Sequence, residues 1–451
     1  MYTLAGNVLK SLSAFVYRQK KKKIVQLTAE FNSQQWLGQD ELLSKCDELT
    51  LNLLRHSSQH VPYYRNIVNE QGLSIGDFTF PEDWQRIPLL GKPELSNHFE
   101  ELKSENANSR KSYLNHTGGS TGVPVDFLTD LVQAQRMTAW LDLVYSWAGW
   151  NPGETRLELW GNREQRVPMT IWDRVKVSLS GHFVLPVYEY SEGTMLQWAQ
   201  VIEQLRPTII YGYPSVLSDF AKWLDSERHQ VVGIKGIFCS AEVLYPEQRF
   251  VIEKAFSCKV FNQYGSRETP CIACECPDGG MHIFVDFNRI EFVDTDDSVQ
   301  NKEIIVTPFY NYAQPLIRYR LGDMGRPLET FCICGRGYPL MELNVARSRD
   351  VIIGPNGVSL YPGFFTRLMD GQDGVRAFQF VQKNIGHIEL NVEIPEIGDY
   401  RSYCDQLVEE ITPFLSEKMG NIHFVVNAVK KIDRTSVGKH RYVISEIKNG
   451  A

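Results

Sequence analysis

The sequence predicts an α/β protein built from two parts, a large N-terminal domain of mixed β-sheets and helices and a small α+β domain behind it. Three observations carry that expectation. A chain of 451 residues is too long for one ordinary core. From residue 112 to about 325, apolar strand-like runs alternate with amphipathic stretches. After Asp350 the same alternation restarts on a smaller scale, over about a hundred residues.

Taken in order, residues 1 to about 110 read as mostly helical, with apolar positions at helical spacing from Leu42 to Leu54. Turn breaks fall at Val61-Pro-Tyr-Tyr64 and Pro88-Leu-Leu-Gly91. Strands are expected at Arg156–Trp160, Thr208–Tyr211, Ile234–Cys239, Lys259–Gln263, Ile283–Val293 and Glu303–Thr307. Helices at Val216–Leu224 and Pro246–Phe256 fall between some of them, so part of the sheet should be parallel. The boundary is placed between residues 345 and 346. In the small domain (346–451), Val351–Ile353, Ala377–Gln382 and Ile388–Val392 read as strands, Tyr403–Leu415 as a helix, and Ile422–Val426 as a final strand.

Composition narrows the class. A balance of 47 basic against 54 acidic residues gives a net charge of −7, which offers no sign of nucleic-acid binding. The one basic run, Arg18-Gln-Lys-Lys-Lys-Lys23, follows an apolar stretch too short to span a bilayer and without a cleavage pattern. It reads as a solvated turn between helices, the alternative being weak contact with an acidic membrane surface. Nine cysteines with no secretory signal imply a reducing, cytoplasmic setting. Trp140, Trp147, Trp160 and Tyr213 read as core rather than as the lining of an acyl pocket. The sequence leaves oligomeric state open, with a homodimer as the default for a soluble enzyme.

Two motifs near opposite ends of the chain carry the chemistry. Thr117-Gly-Gly-Ser-Thr-Gly122 offers close backbone approach at Gly118, Gly119 and Gly122, and hydroxyl donors at Thr117, Ser120 and Thr121. It suits a polyphosphate, yet no Gly-Lys-Ser/Thr follows, so it is not a Walker loop. Lys439, in Arg434-Thr-Ser-Val-Gly-Lys439, places a point charge in a turn near the other end. Together they point to ATP-dependent activation of a carboxylate. Glu268, in Phe261-Asn-Gln-Tyr-Gly-Ser-Arg-Glu268, follows a strand and suits Mg²⁺, while Tyr264 suits stacking on a base. Asp323, expected just after a strand, suits a pair of ribose hydroxyls. Cys276, His282, Cys332 and Cys334 form a closed tetrahedral set for a structural Zn²⁺, with Cys271 and Cys274 as rival thiols.

Read in order, these segments resemble the adenylate-forming enzymes, and within them phenylacetate–CoA ligase and the CapK-type capsular polysaccharide biosynthesis proteins. The resemblance runs from Leu54-Arg-His-Ser-Ser-Gln-His-Val-Pro-Tyr-Tyr-Arg65 through the loop at 117–124, Gly212-Tyr-Pro-Ser215, Ser240-Ala-Glu242, Tyr264–Glu268, Arg318–Asp323 and Cys334-Gly-Arg336 to Arg434–Lys439. It implies an α/β adenylate-forming domain with a mobile C-terminal domain, and an AMP-forming ligase using ATP and Mg²⁺. A small carboxylic acid would be adenylated and passed to CoA, or to an amine as the CapK side permits. It also implies that Thr117–Thr121 grip the β- and γ-phosphates, that Ser240, Ala241 and Glu242 border the adenine, and that Tyr264 stacks on it. Glu268 would hold Mg²⁺, Asp323 the ribose, and Lys439 would bridge carboxylate and α-phosphate. Rotation of the small domain is implied just after Arg347. There the sequence departs from the family, with Arg349 where Asp or Lys is usual. It departs again after Pro124, where Val125 and Asp126 replace a lysine or hydroxyl residue.

Overall fold

The computed structural model describes residues 17, 19, 21–116, 125–161, 181–187, 191–295, 298–344, 352–360, 364–365, 368–369, 372, 374–394, 400–433 and 440–447. The chain divides into two compact units, residues 1–321 with 325–343, and residues 344–451 with 322–324. The expected boundary at 345/346 and the hinge residues Arg347 and Arg349 lie outside the described residues.

The first unit opens with helices α1 (Lys22–Gln34), α2 (Gln39–His60) and α3 (Pro62–Glu70), then three short ones, α4 (Glu82–Arg86), α5 (Lys92–Asn97) and α6 (Phe99–Leu102). α2 buries Leu42, Cys46, Thr50, Leu53, Leu54 and Ser57, a stripe at three-to-four-residue spacing that faces the core. Val61 is extended and Pro62 opens α3 at its first position, where a missing N–H costs nothing. The predicted break is therefore a one-residue corner. Lys21, Lys22 and Lys23 are exposed at the start of α1, as a solvated basic turn requires. No helix among the described residues is long and apolar enough to cross a membrane.

Strands β1 (Tyr113–His116) and β2 (Asp126–Thr129) form an antiparallel hairpin, followed by α7 (Leu131–Trp147), whose first N–H groups are capped by Asp130. Next come β3 (Arg156–Trp160), β4 (His182–Pro186), α8 (Glu192–Leu205), β5 (Ile209–Gly212), α9 (Pro214–Ser226), β6 (Gly236–Ser240), α10 (Pro246–Phe256) and β7 (Lys259–Tyr264). The strands β4, β3, β5, β6 and β7 lie side by side and parallel. β6 is buried at all five positions, as a central parallel strand covered on both faces must be. Trp198, Phe220, Phe256 and their neighbours from α8, α9 and α10 pack on one face with Leu159, Ile210 and Ile237. α1 and α7 pack on the other, with Phe31, Trp140, Tyr145, Phe238 and Phe284. Trp140 and Tyr213 are buried, and Trp147 and Trp160 pack against these cores.

The sheet continues through β8 (Ala273–Glu275), β9 (Met281–Ile283), β10 (Asn288–Thr295), β11 (Ser298–Pro308), β12 (Tyr319–Leu328) and β13 (Leu340–Asn344), giving eleven strands in the order β10-β11-β12-β13-β9-β8-β7-β6-β5-β3-β4. One expectation fails here. Ile283–Val293 is not a single strand, because the carbonyl of Phe284 accepts the N–H groups of both Phe287 and Asn288 at 3.0 Å. That turn brings Asp286 into the core, where Tyr338 donates to its Oδ2 at 2.7 Å.

Burial pushes the Asp286 carboxyl up to about 6, with the Tyr338 hydrogen bond and distant Lys45 and Arg136 opposing. The fold thus favours the protonated acid. Its contribution to stability is complete below the unfolded pKa near 3.9 and is lost as pH rises through 6. Asp286→Asn should therefore stabilise the protein by ~2 kcal/mol at pH 7.5, with the gain vanishing near pH 4. Urea unfolding at the two pH values measures it; an equal difference at both would refute it.

The second unit has a short hairpin, β14 (Ile352–Ile353) and β15 (Ser359–Leu360), and a four-stranded sheet. That sheet comprises β16 (Ala377–Asn384), β17 (His387–Glu393), β18 (His423–Val429) and β19 (Val443–Ser445), in the order β18-β17-β16-β19. β17 alternates, burying Ile388, Leu390 and Val392. Helix α11 (Tyr400–Met419) supplies Leu407, Ile411, Leu415 and Met419, a strict i,i+4 stripe, to the same core. The strand at 422–426 is not the last, since β19 adds parallel to β16. Three residues carry too little periodicity to mark it in the sequence.

Candidate functional site

Parallel strands place whatever follows their C-terminal ends along one edge of the sheet, which is where open α/β sheets bind ligands. Gly212 pairs with Cys239 and Ser240 with Gln263, so the turns after β5, β6 and β7 emerge together. Ser240, Ala241 and Glu242 form the turn after β6, with Ala241 at a φ of 71°, in the left-handed region. The Glu242 Oε2 accepts the Ser215 N–H at 3.0 Å, a carboxylate seated on the first turn of α9. The Tyr211 phenol, raised by burial, is hydrogen-bonded to Ser240. Trp160 stacks on Tyr213 with ring centroids 4.1 Å apart. The sheet thus assembles Gly212–Ser215, Ser240–Glu242 and Tyr264–Glu268 along one edge.

Tyr264 ends β7 and is buried. After it the chain closes a tight turn: Ser266 N–H donates to the Thr269 carbonyl and Thr269 N–H to Ser266 Oγ, both at 3.0 Å. Glu268 is therefore not a strand-end residue, as its position after β7 led us to expect. It lies four residues past the strand and only 4% exposed. Tyr319 donates to its Oε1 at 3.4 Å, and among the described residues no cation pairs with it. A buried carboxylate without a countercharge suits a divalent cation. Asp323, expected after a strand, lies within β12 and is buried. The loop Thr117–Pro124 and Lys439 lie outside the described residues. What is described is the hairpin on either side of the loop, with His116 paired to Asp126.

Residue reasoning missed Tyr319 and Arg267. Tyr319 sits inside Arg318–Asp323, and Arg267 inside Tyr264–Glu268, but nothing in either string says what the side chains touch. Arg267 Nη1 donates to the His116 carbonyl at 3.3 Å.

A second constellation lies where β8, β9 and the turn before β13 meet. The ligand atoms of Cys276, His282, Cys332 and Cys334 all lie within 4.8 Å of one another. Cys276 and Cys332 sulfurs are 3.5 Å apart, and His282 Nε2 is 3.2 Å from Cys334 Sγ. His282 Nδ1 is 3.1 Å from the Tyr338 carbonyl, which fixes the tautomer and leaves Nε2 as the ligand atom. A Cβ on Gly280 would stand 2.8 Å from Cys332 Sγ, so only glycine lets the chain wrap this closely. Burial lowers the imidazole to about 4, keeping it neutral, and raises the Cys276 thiol to about 12. Burial also acts to raise Cys334, but hydrogen bonds from Arg336, Cys332 and Cys276 outweigh it and hold that thiol low. Cys271 and Cys274 stand apart from this set, buried in the apolar core with thiols raised by burial.

An eleven-stranded mixed sheet in a large unit, followed along the chain by a smaller α+β unit, resembles the fold of the adenylate-forming CoA ligases. It superposes on 2-hydroxyisobutyryl-CoA ligase, solved in complex with 2-HIB-AMP in the postadenylation state, with a TM-score of 0.69 at 19% identity, over 92% of this chain and 91% of the other. Within that superfamily, the CapK C-terminal domain model matches residues 352–446. Protein CapK of Staphylococcus aureus is 26% identical over 420 residues, 90% of this chain and 89% of that protein. Phenylacetate-coenzyme A ligase of Thermus thermophilus is 25% identical over 377 residues, 80% of this chain and 83% of that enzyme. Over most of its length the chain is therefore similar to the CapK and phenylacetate–CoA ligase type of adenylate-forming proteins.

Proposed function

We propose that this chain is an AMP-forming ligase: it activates a small carboxylic acid with ATP, releases pyrophosphate, and passes the acyl group to CoA. The observation that carries the reading is the convergence of Ser240–Glu242 and Tyr264–Glu268 at one edge of the parallel sheet, in a chain similar over most of its length to phenylacetate-coenzyme A ligase. In this reading Thr117, Gly118, Gly119, Ser120, Thr121 and Gly122 hold the β- and γ-phosphates. Ser240, Ala241, Glu242 and Tyr264 form the adenine site, and Asp323 takes the ribose hydroxyls. Glu268 would hold Mg²⁺, which offsets charge on the departing pyrophosphate, with Tyr319 fixing the carboxylate. Lys439 neutralises charge as the acid attacks the α-phosphorus, and the small domain turns about a hinge next to Arg347. A second reading, transfer to an amine rather than CoA, is favoured by the match of residues 352–446 to the CapK C-terminal domain.

Acid-dependent exchange of pyrophosphate into ATP, screened over aryl, short aliphatic and amino acids, tests adenylation. With the acid in hand, thioester formation with CoA against amide formation with amines separates the two acceptors. No exchange with any acid would remove the ligase reading.

We infer further that Cys276, His282, Cys332 and Cys334 hold one structural Zn²⁺. The four atoms already sit at ligand spacing, and the metal would knit the β8–β9 turn to the strand-poor stretch 329–339. Purified protein should carry about one equivalent of zinc, lost in the Cys332→Ser/Cys334→Ser double variant together with thermal stability. Metal analysis finding none in the wild type would refute it.

A further inference from the structure

Three neighbouring strands change character together as they reach the edge of the sheet that carries the turns after β5, β6 and β7. Successive residues of a strand point to opposite faces, and residues paired in register share a face. Tyr211 pairs with Phe238, Phe238 with Phe261, and Ser240 with Gln263. Ile209, Phe238 and Phe261 therefore lie on one face, buried in the core that α1 and α7 cover. Two residues further along each strand, on that same face, stand Tyr211, Ser240 and Gln263. A core that simply continued would keep apolar residues here, because a buried polar group without a partner is costly.

Two of the three satisfy each other. The Tyr211 phenol is hydrogen-bonded to Ser240, and Trp160 stacks on the Tyr211 ring with centroids 5.0 Å apart. Glu158, level with Tyr211 on β3, is taken by His182 at 2.8 Å. Gln263 is left over. Its Oε1 is buried and has no hydrogen-bond partner among the described residues. The residues paired with it are Ser240, engaged with Tyr211, and Cys274, packed in the apolar core. Gln263 directly precedes Tyr264, and Ser240 opens the turn Ser240–Glu242, so this acceptor lies beside both turns proposed to hold the adenine. Tyr211 and Gln263 are only partly buried, which leaves them within reach of a ligand.

We propose that Gln263 is a specificity-determining residue, and that the acid activated here carries a hydroxyl group that donates to the Gln263 amide. None of Tyr211, Ser240 and Gln263 is charged, so the matching group is neutral, and a hydroxyl both donates and accepts. The proposal rests on the adenylation reading above and narrows its substrate to hydroxy-substituted acids, since an acid joined to the nucleotide at this edge extends over the face beside it.

Pyrophosphate exchange by the full chain, with acids paired so that the members differ by one hydroxyl, tests it. The pairs are phenylacetate and para-hydroxyphenylacetate, benzoate and meta-hydroxybenzoate, and butyrate and β-hydroxybutyrate. In at least one pair the hydroxylated acid should be favoured by about tenfold or more in kcat/KM. Gln263→Met, similar in length and without the amide, should bring that ratio to within about threefold of unity by slowing the hydroxylated acid. The ratio is the readout, because a merely structural loss slows both acids alike. No preference for the hydroxylated member in any pair, a preference that survives Gln263→Met, or a fall common to both members would overturn the assignment while leaving the ligase reading intact. No exchange with any acid would overturn both.

Discussion

Lys439→Ala is expected to lower acid-dependent ATP–pyrophosphate exchange by at least about a hundredfold while leaving the fold and ATP affinity nearly intact. Attack of a carboxylate on the α-phosphorus brings two anions together, and charge builds at the five-coordinate centre. A lysine that meets this charge stabilises the transition state more than either ground state, so the loss should fall on turnover and not on binding. Lys439 falls within the stretch 344–451 of the smaller unit, and the turns proposed to hold the adenine, Ser240–Glu242 and Tyr264–Glu268, fall within the larger. Removing it should therefore leave the melting temperature of each unchanged. Exchange at the wild-type rate in the variant would show that another group performs this step.

Replacing Arg318 is expected to be the most damaging single change to stability. This residue precedes β12 at a φ of 55° and is buried. Its Nε and Nη2 donate to the Glu291 carboxylate, with Nη2 at 2.8 Å from Oε1, and its Nη1 donates to the carbonyls of Gln85 and Ile87. One side chain thus ties the N-terminal helices to β10, above the cluster of Leu54, Tyr64, Trp84, Ile87 and Tyr319. Arg318→Met keeps the volume but leaves the half-buried Glu291 without its countercharge and the helix carbonyls without donors. The expected cost is about 3–5 kcal/mol. Chemical denaturation gives the number, and Glu291→Gln in the Arg318→Met background should return a large part of it. A loss under about 1 kcal/mol would mean that water replaces the guanidinium.

The readable parts of this protein are those whose requirements are local. α10 needs only its amphipathic spacing and Pro246 at its start, and the sequence places it at the residues it occupies. β6, a parallel strand buried throughout, shows as an apolar run, and β3 and β7, with fewer buried positions, are also legible within a residue or two. The single strand expected at Ile283–Val293 failed for the converse reason. Apolar residues recur through that stretch, and the turn at Phe284–Asn288 follows from where Asp286 and Asn288 find partners.

By itself, the sequence determined the α/β class with a second α+β unit, and it carried the edge-of-sheet motifs and the cysteine-rich window. Each is a matter of period, residue type or close spacing. Only the tertiary structure separated the thiols, since Cys271 and Cys274 are packed in the apolar core while Cys276 lies beside His282, Cys332 and Cys334. It alone set Tyr319 against Glu268, 51 residues away, and Arg267 against His116. Strand pairing brings such partners together, and pairing is a property of the whole sheet that no short stretch of chain contains.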